Sequence, residues 1–489
     1  MVRVSGISPP VHLFGFNNDI KTLTRGVLER VFYVKTENGF ETPPVPAPGY
    51  FASTLKSVFK ELSEILPSAA PMTRREFVDK YRGHKRRTYE LAFASLLRDG
   101  GICLKDITAR VFTKYEKTNF SAKADPVARV VSPFSARYNL EVGRYIKAIE
   151  CRVLKALGRL FDHPTVFKGM NSARSGKLLY EKWGMFKNPV ALGLDAKRFD
   201  QHVSQDALFW EFGIYRACFK TKKHKKQLNK LLSAQVAAKC VGYCDTGRIK
   251  YSVTGSRLSG VPNTGLGNCV LMCSMIRAYA SSIGVKIALA NNGDDCVVFM
   301  ENEDLAIFTK GLDKWFVKMG FNMVAEVPCY TFEQIEFCQT HPVWVGPAPD
   351  DYIMVRHPKN AIAKDTAWLE PVLKPSFNAD HFRGWLDAVG KGGMALAGGI
   401  PVFQDFYGLY CRYGSSKVVL TKQQSWGVRA LQEGMTRQYG EIAPRTRASF
   451  YWAFGVTPCE QIVLEEFYRD STITYDLVEK LTYQPDLPI

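Results

Sequence analysis

The 489-residue sequence predicts an α/β (α+β) fold, on three observations. Two short apolar runs, Ile287 to Ala290 and Cys296 to Met300, flank Asn291-Asn292-Gly293-Asp294-Asp295, the pattern of a β-hairpin with adjacent carboxylates at its tip. A second strand-like run, Ala191-Leu192-Gly193-Leu194, ends in Asp195. Beyond residue 345 the pattern turns helical. With 46% hydrophobic and 12% aromatic residues the chain is globular, and its length allows several subdomains around more than one apolar core.

Taken in order, residues 41–49 (Glu-Thr-Pro-Pro-Val-Pro-Ala-Pro-Gly) read as an extended connector. Residues 74–98 read as helical, with a basic burst from Arg82 to Arg87. Residues 105–134 alternate like strands and carry many cations. Lys220 to Lys230 is a second basic cluster leading into an apolar helix; it reads as a solvated helix start, with direct RNA contact as the alternative. Gly390 to Gly399 reads as a flexible stretch. Thr457-Pro458-Cys459-Glu460 is a helix start, with Thr as N-cap, Pro at N1 and Glu at N3.

Net charge is +18, which favours a polyanionic partner but does not choose between nucleic acid and an anionic membrane surface. The twelve cysteines include no C-x-x-C pair. Cys240 and Cys244 lie four apart, as do Cys269 and Cys273, but no His cluster completes a zinc set, so reduced and mostly buried thiols are expected. The opening Met1-Val2-Arg3-Val4-Ser5 is no signal peptide. The longest uncharged run, Leu258 to Ile276, contains Pro262, Asn263, Asn268 and three glycines, which argues against a transmembrane span.

Between the two acidic segments lies Ser259-Gly260-Val261-Pro262-Asn263-Thr264-Gly265-Leu266-Gly267-Asn268, which fits S-G-x3-T-x3-N. Asp200 follows Asp195 by five positions. The order D-x4-D, S-G-x3-T-x3-N, G-D-D resembles motifs A, B and C of viral RNA-dependent RNA polymerases. Arg25 to Val34, Arg137 to Tyr145, Phe199 to Ser204, Glu333 to Gln339, and Ala453 to Pro458 with Glu460-Gln461 resemble the polymerases of tombusvirus-like plant viruses (Tombusviridae). The similarity runs from about residue 7 to about residue 470.

The resemblance implies a right-hand polymerase with fingers, a palm built on an antiparallel sheet flanked by helices, and a helical thumb. Its expected division is 1–165 for the N-terminal region and fingers, 166–209 for palm with motif A, and 210–250 for a fingers insertion. Palm with motifs B to E would span 251–345 and thumb 346–489. The implied activity is template-directed RNA synthesis from ribonucleoside triphosphates, copying a positive-strand genome, able to begin without a primer. Implied partners are RNA template and product, and a membrane-anchored auxiliary replicase protein. The expected location is host cytoplasm, at membrane-associated replication complexes reached through that partner or through upstream sequence.

Adjacent carboxylates repel each other and gain nothing for folding, whereas a divalent-cation site uses them. Two Mg2+ ions roughly 3.5–4 Å apart, which Mn2+ can replace, would stabilise the attacking and leaving oxygens of nucleotidyl transfer. Asp195, Asp294 and Asp295 are the expected catalytic and metal residues, with Asp295 outermost and the Ala196 carbonyl as a neutral ligand. The resemblance gives Asp200, Ser259 and Asn268 the ribose 2′ hydroxyl, with Thr264 near the same ribose or positioning Asp200. Gly260, Gly265 and Gly267 would let a template approach closely. Lys114 to Lys117 and Lys123 to Arg129 resemble motif F, where Arg129, Lys117 and Lys123 would meet the triphosphate.

The chain departs from the family pattern twice. Val261-Pro262 stands where relatives tend to carry an acid, and Val324 falls where motif D often offers a lysine as general acid. Lys318 is nearby in sequence, so the identity of that acid stays open. The alternative class is a non-catalytic RNA-binding replication protein, opposed by the intact Asp trio. A reverse transcriptase is opposed by Asp200 and Asn268.

Overall fold

The computed structural model describes residues 1–122, 125–369, 378–416, 433–475 and 478–480. Helices and strands mix along the chain, in line with the α/β (α+β) expectation. The first half supplies α1 (Gly83–Arg98), β1 (Thr108–Thr113), β2 (Val130–Val131), α2 (Ala136–Arg159), α3 (Ser172–Trp183), β3 (Pro189–Ala196) and α4 (Gln205–Ala217). Then come α5 (Lys222–Val236), β4 (Ala237–Cys244), β5 (Gly247–Thr254), α6 (Thr264–Ile283), β6 (Ala288–Asn292), β7 (Asp295–Glu301) and β8 (Met323–Ala325). The hairpin β9 (Thr340–Trp344) and β10 (Tyr352–Arg356) leads into α7 (Pro358–Asp365), α8 (Ala379–Ala397), α9 (Phe403–Tyr413), α10 (Pro444–Phe454) and α11 (Pro458–Asp470).

The central sheet has the order β6-β7-β3-β8, antiparallel throughout. Its inner strands are buried from Val190 to Leu194 and from Cys296 to Met300, so they read as continuous apolar runs rather than alternating ones. The largest core joins this sheet to α2, α4 and α6. Helix α6 is buried on nearly every side from Leu266 to Ile276, which is why the uncharged run in the sequence is so long: it is a core helix. Among the described residues no helix is long and apolar enough to cross a membrane. A second sheet, β5-β4-β1-β2, pairs β1 with β4 in parallel. A separate core of α8, α9, α10 and α11 takes in Val2 and Val4 from the chain's start.

Three local expectations change. Gly390 to Ala397 is not a flexible stretch but the end of α8. A Cβ at Gly390 would stand 2.8 Å from the Cys411 nitrogen, and one at Gly393 2.1 Å from the Tyr407 ring. The glycines let α8 and α9 touch along their backbones. Residues 74–98 form two helices, Arg74–Asp79 and α1, because Gly83 takes φ 59. Among the described residues of 105–134, only β1, β2 and the short Thr118–Asn119 are strands. The connector at 41–49 carries no helix or strand after Glu41 and closes in a turn at Pro48-Gly49, with Gly49 at φ 75, while Thr457 and Glu460 form the expected capping box of α11.

One buried charge stands out within the frame. Lys182 of α3 is fully buried, and its Nζ lies 3.0 Å from His163 Nδ1. Burial pulls the ammonium down from 10.5 to about 7, with Cys273 and Glu181 opposing. The unfolded chain keeps this proton up to the ordinary value, so between pH 7 and 10.5 it binds more protons than the folded one. Lys182 therefore makes stability rise with pH across that window, by roughly 5 kcal/mol at most. Lys182→Met should be more stable than wild type, by a margin largest near pH 6.5 and shrinking by pH 9. Denaturation midpoints at both values measure this, and a constant margin would count against the buried charge.

Candidate active site

The site begins with strand register. β7 lies antiparallel to β3, and Asp295 is the direct partner of Asp195. Both side chains are exposed at the strand ends while their neighbours along each strand are buried. Like charges directly opposite each other destabilise a sheet. The buried apolar runs below hold the pair in place regardless, because a one-residue slip would turn both runs inside out. Gly293 and Asp294 form the two-residue turn between β6 and β7, with Gly293 at φ 97. Positive φ at the first turn position is what a type II′ hairpin turn requires, and glycine supplies it without strain.

Asp294 is thus exposed at the tip, beside the facing pair. No Lys, Arg or His among the described residues forms an ion pair with Asp195, Asp294 or Asp295. Although Asp295 is open to solvent at the strand end, the groups packed around its carboxyl desolvate it and raise it above its usual range, and the Asp294 and Asp195 charges push the same way, opposed by a hydrogen bond with the Cys338 thiol. Glu326 adds to the same negative field. Its carboxyl lies over Gly193, where a Cβ would collide with it, and burial, Glu336, Asp195 and Asp295 raise its pKa. Ala196 ends β3, paired with Met323 of β8. Among the described residues no three His, Cys, Asp or Glu side chains converge to hold a metal ion by themselves.

Asn291 holds the turn from behind. It is fully buried, its Nδ2 donates to the Gly293 carbonyl at 2.7 Å, and its Oδ1 accepts from the Gly293 N–H at 3.1 Å. Its own backbone pairs with Thr165 and Phe167 on the outer side of β6. The side chain therefore spans the hairpin turn and locks it to the neighbouring segment. Sequence reading included Asn291 in the key peptide but gave it no role; an Asn two residues before the turn Gly was the available signal.

Beside the turn, Asn268 of α6 donates to Asp200 Oδ1 at 2.9 Å. That contact orients the amide, since the opposite placement would set oxygen against carboxylate. Asn268 Oδ1 is then left buried without a hydrogen-bond partner. Burial raises the Asp200 carboxyl, with the Asp294 charge adding, while Arg257, Asn268 and Arg129 oppose. Ser259 lies close by in the chain, and its carbonyl accepts from the Ser132 N–H at 2.7 Å, tying the motif B loop to the segment that carries Arg129. The Arg129 guanidinium is exposed, 3.6 Å from Glu116.

Other expected members are not brought to this point. The Thr264 hydroxyl donates to the Leu258 carbonyl at 2.8 Å, so it closes its own loop and does not bond Asp200. The Lys117 ammonium donates to the Lys364 carbonyl, and burial lowers it to about 8 against the pull of Asp365. Lys123 lies outside the described residues. Among the three motif B glycines only Gly260, at φ 108, needs glycine's backbone freedom. Gly267 serves packing: a Cβ there would stand 2.5 Å from Arg257 and from Glu211.

Those two residues form a platform that sequence reading missed. Arg257 and Glu211 make a buried ion pair, and Tyr215 and Asn263 also donate to Glu211 Oε1, at 2.7 and 3.3 Å. Gln235 links Asn263 to Tyr138. The Arg257 N–H donates to the Asp200 carbonyl at 2.7 Å, so the platform fixes the turn that carries Asp200. On the far side of β3, Val324 of β8 stands directly across from Asp195, and Lys318 is exposed at the end of the helix Leu312–Lys318.

A family model described as "Viral RNA dependent RNA polymerase" matches residues 1–476. The chain belongs to that family. Curated relatives called RNA-directed RNA polymerase come from Oat chlorotic stunt virus (46% identical), Tobacco necrosis virus (39%) and Melon necrotic spot virus (37%). The alignments cover 99, 99 and 97% of this chain and 66, 66 and 59% of those relatives. The chain therefore spans less than two thirds to about two thirds of their length.

Asn291→Ala should leave two buried groups of Gly293 unpaired, at about 1–3 kcal/mol. Nucleotide incorporation should fall roughly ten- to hundredfold in kcat with nucleotide KM little changed. A variant with wild-type kcat would show that the turn holds its geometry without the clamp.

Proposed function

We propose that the chain catalyses template-directed RNA synthesis from ribonucleoside triphosphates, by two-metal nucleotidyl transfer. The observation that carries this reading is the register of Asp195 against Asp295, with Asp294 at the adjoining turn and, among the described residues, no ion pair to any of the three. In this reading the β6-β7-β3-β8 sheet is the palm, covering 166–209 and 251–345. Fingers take 1–165 and 210–250, and the thumb takes 346–489.

Mg2+ fits the donor set, because it binds through one or two carboxylates completed by phosphates and water rather than a full protein cage. Asp195 and Asp294 would hold it, with Asp295 outermost and the Ala196 carbonyl as a further ligand. Two bound ions would stabilise the attacking 3′ oxygen and the leaving pyrophosphate, and Mn2+ can take their place. The remaining work falls to side chains. The unpartnered Asn268 Oδ1 suits the O–H of a ribose 2′ hydroxyl, with Asp200 fixing the amide. Arg129, exposed and felt electrostatically at Asp200, suits the triphosphate. Val324 offers no proton where it faces Asp195, which leaves water or Lys318 to protonate pyrophosphate.

The reading extends to replication of a positive-strand RNA genome, with initiation that needs no primer. A membrane-anchored auxiliary replicase protein would bring the chain to membrane-associated complexes in host cytoplasm. A purely RNA-binding role would leave both the facing carboxylates and the orphaned amide oxygen without a use.

Asp294→Asn should cut incorporation to less than about a tenth of wild type while RNA affinity holds, since it removes a metal ligand and not a phosphate contact. Substantial activity in Mg2+ would overturn the two-metal assignment. Asn268→Ala should lower the UTP-to-dUTP efficiency ratio roughly ten- to hundredfold, the scale of one buried hydrogen bond. An unchanged ratio in an active variant would remove Asn268 from sugar selection.

A further inference from the structure

Helix α2 exposes Lys147, Cys151, Arg152, Lys155 and Arg159. Lys147, Cys151, Lys155 and Arg159 follow an i, i+4 spacing along one face. The helix has two acids, and both are partly buried and engaged: Glu141 with Arg74 and Arg144, Glu150 with Lys147. Helix α5 and the residue pair before it expose Lys220, Lys222, Lys223, Lys226 and Lys230. No acidic residue occurs between Glu211 and Asp245. Among the described residues none of these five lysines forms an ion pair.

The two helices share one surface. The Tyr145 hydroxyl of α2 donates to Gln227 Oε1 of α5 at 2.8 Å, and the Tyr145 and His224 rings stand 6.4 Å apart. The charge of Arg152 reaches the Cys218 thiol, two residues before Lys220. On the other flank, Lys85 of α1 feels the charge of Lys147 and leans over the Tyr81 ring. Cations from three helices therefore form one band. It begins well away from the ribose site: Lys222 is roughly 20 Å along α5 from Gln235, which joins the platform under Asp200.

Such a band repels itself, and a polyanion relieves that cost. Neither α2 nor α5 exposes a large apolar side chain, and the exposed Leu91 and Leu97 of α1 lie off the face that carries Lys85, so the band itself would insert nothing into a bilayer. We propose that this band is a track for the phosphate backbone of RNA, outside the nucleotide site and without base readout. The Lys220 to Lys230 cluster is then more than a solvated helix start. The inference rests on the polymerase reading for its context, but its contacts are independent of the carboxylates.

The test uses the full chain with K222E/K223E/K226E, and the matching alanine variant as a milder change at the same exposed positions. Melting curves check that both fold. Affinity for an unstructured single-stranded RNA longer than the active site could hold is measured across salt concentrations. Removing three phosphate contacts should reduce the log–log salt slope by about 2, at about 0.7 per contact, and raise Kd at least about tenfold. Incorporation on a template only a few nucleotides long should stay at wild-type level. Unchanged Kd and slope would overturn the track. So would unchanged RNA binding with lost binding to vesicles containing anionic lipid, which would make the band a membrane surface. Wild-type protein that binds the long RNA but incorporates nothing would sink the polymerase reading and leave the track standing.

Discussion

Two carboxylates on facing strands, Asp195 and Asp295, set the terms for everything around them. Their repulsion is held in check by buried strand interiors, since β3 and β7 can shift register only by exposing their apolar runs. Rigidity below and repulsion above is a combination that a bound cation relieves. The same logic explains the hairpin tip. Gly293 allows the tight turn, Asn291 fills the donors and acceptors that the turn would leave open, and Asp294 is presented outward.

A second layer fixes the neighbouring turn that carries Asp200. Asp200 sits beyond the end of β3, on a turn that could move were its carbonyl not bonded to Arg257. Arg257 is in turn pinned by Glu211, and α6 reaches both only because Gly267 has no side chain. Breaking such a buried pair by removing one partner is costly, because the other charge is left uncompensated. Asn268 then stands between Asp200 and the Gly293 turn with one oxygen unspent. The Asp195, Asp294 and Asp295 trio and the Asp200–Asn268 pair are thus positioned by different networks, one in the sheet and one under α6.

Charge is sorted across the molecule. The chain carries a net +18, yet the sheet end gathers Asp195, Asp294, Asp295 and Glu326, and among the described residues no side-chain cation pairs with the trio. The surplus cations lie elsewhere, in the exposed band of α1, α2 and α5 and around Arg129. The acids of the sheet end sit at strand ends and a hairpin tip, whereas the cations of the band lie on helix faces.

The acidic hairpin and the strand ending in Asp195 were legible because each is written in contiguous residues with a local physical cause, whereas the uncharged run from Leu258 to Ile276 showed itself as a core helix only in the structure. The capping box at Thr457 was legible too. What tertiary structure alone decided was which distant groups meet. Gly390 and Gly393 look like flexibility in sequence, but their packing against Cys411 and Tyr407 makes them a helix contact. Thr264 matches its motif, yet its hydroxyl donates to the Leu258 carbonyl of its own loop. Lys117 is cationic in a cationic segment, but its ammonium is captured by the end of α7. Glu211 and Arg257 carry no local signal, since a buried ion pair is recognisable only when both partners are seen to leave water together. Sequence determined the kinds of group available and their local geometry; long-range packing determined which of them face each other and which are spent elsewhere.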